Sequence, residues 1–201
     1  MNLVFDWKGV VNSTGKINKT RLLPKNYQSL GRWGEEIWIT ELTYNQIGQI
    51  TSTKVSPLPD VEEIIPLPLN PEIGAIDPLS FISQVVINAA TGKSCKEEVA
   101  VFDGRRRYKL KIEEIGVEKL SKTPYNIFNG KALACKLEYI PLGGQRRRTF
   151  EQENPRKEGV IYLARPSPVT PVIPVSFSFE TSFGTLVGHL VKIDPLGSSF
   201  E

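Results

Sequence analysis

The sequence predicts a mainly β fold, an antiparallel roll or barrel-like sheet with one α-helix at about residues 77–91 packed against it. Three observations point there. Apolar residues recur at every second position along most of the chain, the period of a half-buried strand. Turn signals at Asn45-Gln46-Ile47-Gly48, Asp103-Gly104, Asn129-Gly130 and Gly143-Gly144 punctuate those runs. Only one segment carries the helical period, whereas a parallel sheet would need helices between its strands. The 201 residues read as a single domain, 1–201.

The chain opens as a strand already under way, with Leu3, Phe5 and Trp7 on one face over 3–11. Ser13-Thr14-Gly15 reads as a turn, Lys16 to Leu23 as extended, Pro24-Lys25-Asn26 as a break, and Tyr27 to Trp33 as a resumed strand. Glu36 to Tyr44 is rich in β-branched and aromatic residues, which suit a pleated, half-buried surface. The hairpin at Asn45–Gly48 returns along Gln49 to Val55. Residues 56–76 carry Pro57, Pro59, Pro66, Pro68 and Pro71, which cannot donate to a ladder. Leu58, Ile64, Ile65, Leu67, Leu69 and Ile73 make the stretch too apolar for a free linker, so it is expected to pack on the body.

Asp77 is placed to cap the helix, Pro78 fits its first turn, and Gly92 fits just past its end. Leu79, Ile82, Val85, Val86 and Ala89 form an apolar stripe at steps of three and four, expected to face the core. Glu97 to Phe102 then runs into Asp103-Gly104, and Arg105 to Ile115 returns with Tyr108, Leu110 and Ile112 inward. Gly116 to Ser121 reads as a short strand. Lys131 to Pro141 alternates Leu133, Cys135, Leu137 and Tyr139 against Lys136 and Glu138. Gln145 to Glu158 is a polar loop, Val160 to Ala164 a strand, and Pro166, Pro168, Pro171 and Pro174 a second proline cluster. Ile173, Val175, Phe177 and Phe179 are expected on one face, before a turn at Ser182-Phe183-Gly184 and a last strand, Leu186 to Ile193.

Composition excludes several functions. Twenty-five Lys and Arg against 22 Asp and Glu leave a net charge of +3, too balanced for a dedicated nucleic-acid binder. One His and two Cys cannot furnish a closed zinc site and leave little for His-based acid–base chemistry. P-loop, dinucleotide and EF-hand patterns are absent from the sequence, and no cofactor is implied. No run approaches the ~20 apolar residues of a spanning helix, and no secretory signal begins the chain. Parity puts Cys95 beside Val99 and Val101, and Cys135 on the apolar side of its strand. Two buried thiols and a disulfide both fit this spacing; a bridge would close a loop of about 40 residues, worth ~4 kcal/mol, and mark an oxidising compartment.

Val101-Phe102-Asp103-Gly104-Arg105-Arg106-Arg107-Tyr108-Lys109-Leu110 resembles domain-of-unknown-function family 3108 of Gram-negative bacteria, in its alphaproteobacterial form. Ala75-Ile76-Asp77-Pro78-Leu79-Ser80, Gly130 to Leu137, Pro174-Val175 and Thr181-Ser182-Phe183-Gly184-Thr185 extend the resemblance. It implies a periplasmic or outer-envelope protein with a β-rich roll and no assigned activity, and it favours the Cys95–Cys135 bridge. Members of that family carry a signal peptide and further N-terminal strands, so the abrupt start implies an N-terminally truncated sequence.

The candidate ligand-binding residues are Asp103, Arg105, Arg106, Arg107 and Tyr108. Directly after a hairpin, Arg106 joins the Tyr108 side and can meet an anion, or pair with Asp103, while Arg105 and Arg107 face the other way. Arg146-Arg147-Arg148, with Arg156 and Lys157, is interspersed with Glu151, Glu153 and Glu158 and reads as a solvated loop, or as a contact for anionic headgroups. Phe150 alone makes no nucleic-acid platform. His189 has no partners for a triad or a metal and is expected to be structural. Glu62-Glu63 and Glu113-Glu114 diverge as strand neighbours.

The functional expectation is a non-enzymatic envelope protein that binds a lipidic ligand or an envelope partner, with an apolar interior that is either hollow or filled. Two alternatives stand beside it: an envelope-polymer-modifying enzyme using Asp103 and the nearby arginines, and a structural adaptor pairing through an exposed strand edge.

Overall fold

A computed structural model describes residues 7–147, 157–181 and 184–193. The alternating pattern produces two open sheets. A four-stranded antiparallel meander is built from β1 (Trp7–Asn18), β2 (Arg21–Trp33), β3 (Glu36–Tyr44) and β4 (Ile50–Ser56), in that order. A seven-stranded sheet contains β5 (Ala75–Ile76), β6 (Glu97–Phe102), β7 (Arg107–Leu120), β8 (Gly130–Gly143), β9 (Lys157–Ala164), β10 (Ile173–Thr181) and β11 (Gly184–His189), ordered from β11 at one edge to β5 at the other. The short β5 pairs parallel to β6; all other neighbours are antiparallel. Neither sheet closes into a barrel.

The helix α1 (Pro78–Ala90) forms where its signals lie. Asp77 accepts the Ser80 N–H at 2.8 Å, Pro78 opens the first turn, and Gly92 follows the end with φ +74°. The buried Asp77 also accepts the Ser80 hydroxyl at 2.6 Å and the Tyr44 hydroxyl at 2.9 Å, while its own N–H donates to Tyr44 Oη at 2.8 Å. Ser13 on β1 reaches the same carboxylate at 3.5 Å. The start of α1 is therefore pinned to the meander as well as to the larger sheet.

Phe81 and Val85 of α1 bury themselves against Val101, Tyr108, Leu110, Ile112, Cys135, Leu137, Ile161 and Leu163, the main core. A second cluster, Tyr27, Leu42, Tyr44 and Ile50 with Ala75 and Phe102, joins the two sheets. The apolar rows of β7 and β8 thus pack against α1 and β9 in one buried core. Cys95, just before β6, is bonded to Cys135 in β8, with 6.4 Å between their Cα atoms and both residues buried.

Four sequence expectations are corrected. Ser13-Thr14-Gly15 makes no turn: β1 runs through it, and the reversal comes at Lys19, with φ +56°. Pro24 does not break β2; it sits opposite Gly15, where the register shifts, so the missing N–H falls at a gap in the ladder. Arg107 to Leu120 is one strand, kinked between Glu114 and Gly116, not two. β10 also departs: a shift between Pro174 and Ser176 sends Val175 into a separate cluster with Phe128, Ala132 and Ala164. Phe177 is left 39% exposed, lying over Gly188, and only Phe179 reaches the main core.

The 56–76 stretch is held at its centre, where Ile65 and Glu63 exchange backbone hydrogen bonds with Gly144, Gln145 and Arg147. Ile64, Ile65 and Leu67 are half-buried, whereas Leu58, Leu69 and Ile73 project into solvent. Leu3 and Phe5, the turn residues Ser182 and Phe183, and Arg148, Phe150, Glu151, Glu153 and Arg156 lie outside the described residues.

Candidate functional site

The β6–β7 hairpin tip is organised by Asp103. Its Oδ1 accepts the backbone N–H groups of Arg105 and Arg106 at 3.0 and 2.7 Å, the side-chain-capped turn that Asp favours. Its Oδ2 accepts Arg106 Nε at 2.9 Å and forms a 2.8 Å ion pair with the same guanidinium. Gly104 has φ +88°, and a Cβ there would run into Thr40 of β3, so the tip packs directly on the meander.

The three consecutive arginines go to three places. Arg105 crosses to the meander, donating to the carbonyls of Pro57 and Ser56 at 2.8 Å each and of Ile39 at 3.3 Å. Its guanidinium lies 4.9 Å from the centre of the Trp38 ring. Arg107 turns to the proline loop, donating to Pro71 O and, at 3.1 Å, to Ile73 O. Arg106 stays beside Asp103 with 56% of its side chain open to solvent, and the adjacent carboxylate raises its pKa further.

Between the hairpin tip and the inner face of β2 and β3 lies an open cavity of about 780 Å³. It is lined by Tyr27, Ser29 and Arg32 of β2, Trp38 and Thr40 of β3, Asp103, Arg105 and Arg106 of the hairpin, and Arg146, with Glu36 on its wall. Arg146 is brought there because the Gly143-Gly144 turn lies against the hairpin; a Cβ on Gly144 would strike Arg105 O.

The wall is dominated by donors. Neither Arg32 nor Arg146 has a side-chain hydrogen bond or ion pair among the described residues. The Trp38 indole Nε1 is shut away from solvent with no hydrogen-bond partner among them. Burial, and then the Asp103 carboxylate, push the Tyr27 hydroxyl up to about 12, so it stays a neutral donor at ordinary pH. Four arginines face two carboxylates, and Asp103 already satisfies one of the four. Such a wall suits a ligand rich in acceptors or negative charge.

Of the residues singled out from sequence, Asp103, Arg105 and Arg106 meet at this cavity. Arg107 is spent on the proline loop, and Tyr108 is buried in the core, its ring 4.7 Å from that of Tyr139. Neither lines the cavity: Arg107 turns to the loop, and the parity of β7 carries Tyr108 inward. The sequence reading missed Tyr27, Ser29, Arg32, Trp38 and Thr40, which long-range docking of two sheets brings together, and it gave Arg146 to a solvated loop. His189 is exposed and shares a 3.2 Å hydrogen bond with Ser176 Oγ. Among the described residues no group of His, Cys, Asp and Glu could hold a metal, and no helix is long and apolar enough to cross a membrane.

A family model described as "Protein of unknown function (DUF3108)" matches residues 1–191. No curated protein matches the chain, and no solved structure does.

Proposed function

Since the chain belongs to the DUF3108 family, we propose that it is a non-enzymatic binding protein of the cell envelope that holds the anionic group of a lipidic ligand in the cavity between the two sheets. The observation that carries this reading is the wall itself: Arg32 and Arg146, with no side-chain hydrogen bond or ion pair among the described residues, line a space whose volume falls in the usual range for small-molecule sites. Because the apolar rows of β7 and β8 are buried in the core, away from this cavity, the ligand's head is bound here and its tails stay outside. The buried Cys95–Cys135 bond supports an oxidising, periplasmic setting.

The polymer-modifying alternative has less support. Both oxygens of Asp103, the carboxylate that reading relies on, are committed to the turn and to Arg106 and are not free to act as acid or base.

The test is a titration with a short-chain phosphatidic acid, kept below its micellar concentration and followed by tryptophan fluorescence. Saturable quenching is expected, weakened at least about tenfold when Arg32→Gln and Arg146→Gln are combined, the loss of two charge-assisted contacts. Equal affinity in the double variant would overturn the reading.

A further inference from the structure

Charge is balanced over the whole chain, but not over β1 and β2. Residues 7–33 contain Lys8, Lys16, Lys19, Arg21, Lys25 and Arg32 and not one Asp or Glu. All six basic residues are exposed, and none pairs with a carboxylate among the described residues.

The strand register shows what accompanies this charge. Lys8 lies opposite Arg32, and Arg32 opposite Ile37; two positions along, Val10 lies opposite Leu30, and Leu30 opposite Ile39. Directly paired residues, and residues two apart, share a face. That face is the outer one, since Tyr27 and Leu42, of the other parity, are buried inside. Val10, Leu30 and Ile37 are 58%, 46% and 53% exposed. The nearest acid on the face, Glu41, already meets Gln28 at 3.1 Å and Lys54 at 4.0 Å.

We propose that this outer face of β1–β3 docks on an anionic lipid bilayer. Apolar side chains flanked by the unpaired Lys8 and Arg32, on three adjacent strands, match the two layers of such a surface: phosphates for the Lys and Arg, and the acyl boundary for Val10, Leu30 and Ile37. A nucleic acid would meet the charge but leave the apolar row unused. Arg32 belongs both to this face and to the cavity wall, so docking sets the cavity mouth at the level of the headgroups. This goes beyond ligand binding in the cavity and stands without it.

Flotation of the whole protein with vesicles tests it. Binding is expected to vesicles of phosphatidylglycerol and phosphatidylethanolamine, not to phosphatidylcholine alone, and is expected to fall as salt rises. Lys8→Gln should lower the partition about fivefold, the effect of one cation at such a surface, and Val10→Asp should abolish it. Both positions are exposed and lie outside the cavity lining, so each variant should keep the wild-type melting temperature and the phosphatidic-acid titration unchanged. Salt-independent binding to neutral vesicles, or anionic vesicle binding unmoved by either variant, overturns the inference. So does dextran sulfate binding as strong as vesicle binding and indifferent to Val10→Asp, which would make the face a polyanion site. Lost fluorescence quenching with flotation intact would remove the cavity reading alone.

Discussion

Arg105→Ala should loosen the β6–β7 hairpin from the meander. The guanidinium makes three hydrogen bonds to carbonyls of β3, β4 and the residue after it, and it stacks on Trp38. Two of the three bonds are solvent-exposed and the third is long, so each is worth about 0.5 kcal/mol, below the value of a buried charged bond. The stacking adds about 0.5–1 kcal/mol. The freed carbonyls of Ser56 and Pro57 can be hydrated, which adds no further penalty. The total is about 2 kcal/mol, or ~4–8 °C in melting temperature for a chain of this size. Urea unfolding followed by tryptophan fluorescence measures it. Arg105→Lys should recover less than half of the loss, because an ammonium cannot span three divergent acceptors. The folded Arg105→Ala protein should also bind phosphatidic acid more weakly, since Trp38 loses the group that holds its ring. A loss below about 0.5 kcal/mol, with ligand affinity intact, would refute the view that this side chain ties the sheets together.

Replacing both cysteines, Cys95→Ala with Cys135→Ala, opens a loop of 40 residues and should cost about 4 kcal/mol by chain entropy. Calorimetry would read a melting temperature lower by ~8–16 °C, and a change under ~2 °C would count against the estimate. Alkaline titration should distinguish the buried tyrosines. Tyr27 ionises at about 12 in the folded protein against 10.0 when free, and burial also raises Tyr44 and Tyr108. The unfolded chain therefore sheds these protons first, so stability is complete below pH 10 and falls as pH climbs from 10 towards 12. Tyrosinate absorbance rising for Tyr27 at pH 10, with the fold intact, would contradict this; Tyr27→Phe identifies its share.

The strands were legible because one face of each is wet: Tyr108, Leu110 and Ile112 against Lys109, Lys111 and Glu113 leave one orientation. The helix was legible from Asp77, Pro78 and Gly92, each of which does at its end what its chemistry allows. Bulges were not. Gly15 and Pro24 suggested a turn and a break when read singly; read as a pair across two strands, they mark one register shift. The same limit hid Val175. For the site, the Asp103 turn was local and could be read, including its pairing with Arg106. The opposite wall could not, because Tyr27, Trp38 and Thr40 reach Asp103 only through the docking of two sheets, a contact with no local spacing to announce it.

The bond between Cys95 and Cys135 spans the exposed connection at Ser121–Tyr125. A protease that cuts there severs the backbone between β7 and β8, yet the two fragments stay covalently joined, and their antiparallel pairing is kept at high effective concentration. Cleavage at that loop would therefore go unseen on a non-reducing gel, and the nicked molecule would come apart only once a reductant reached the buried sulfurs.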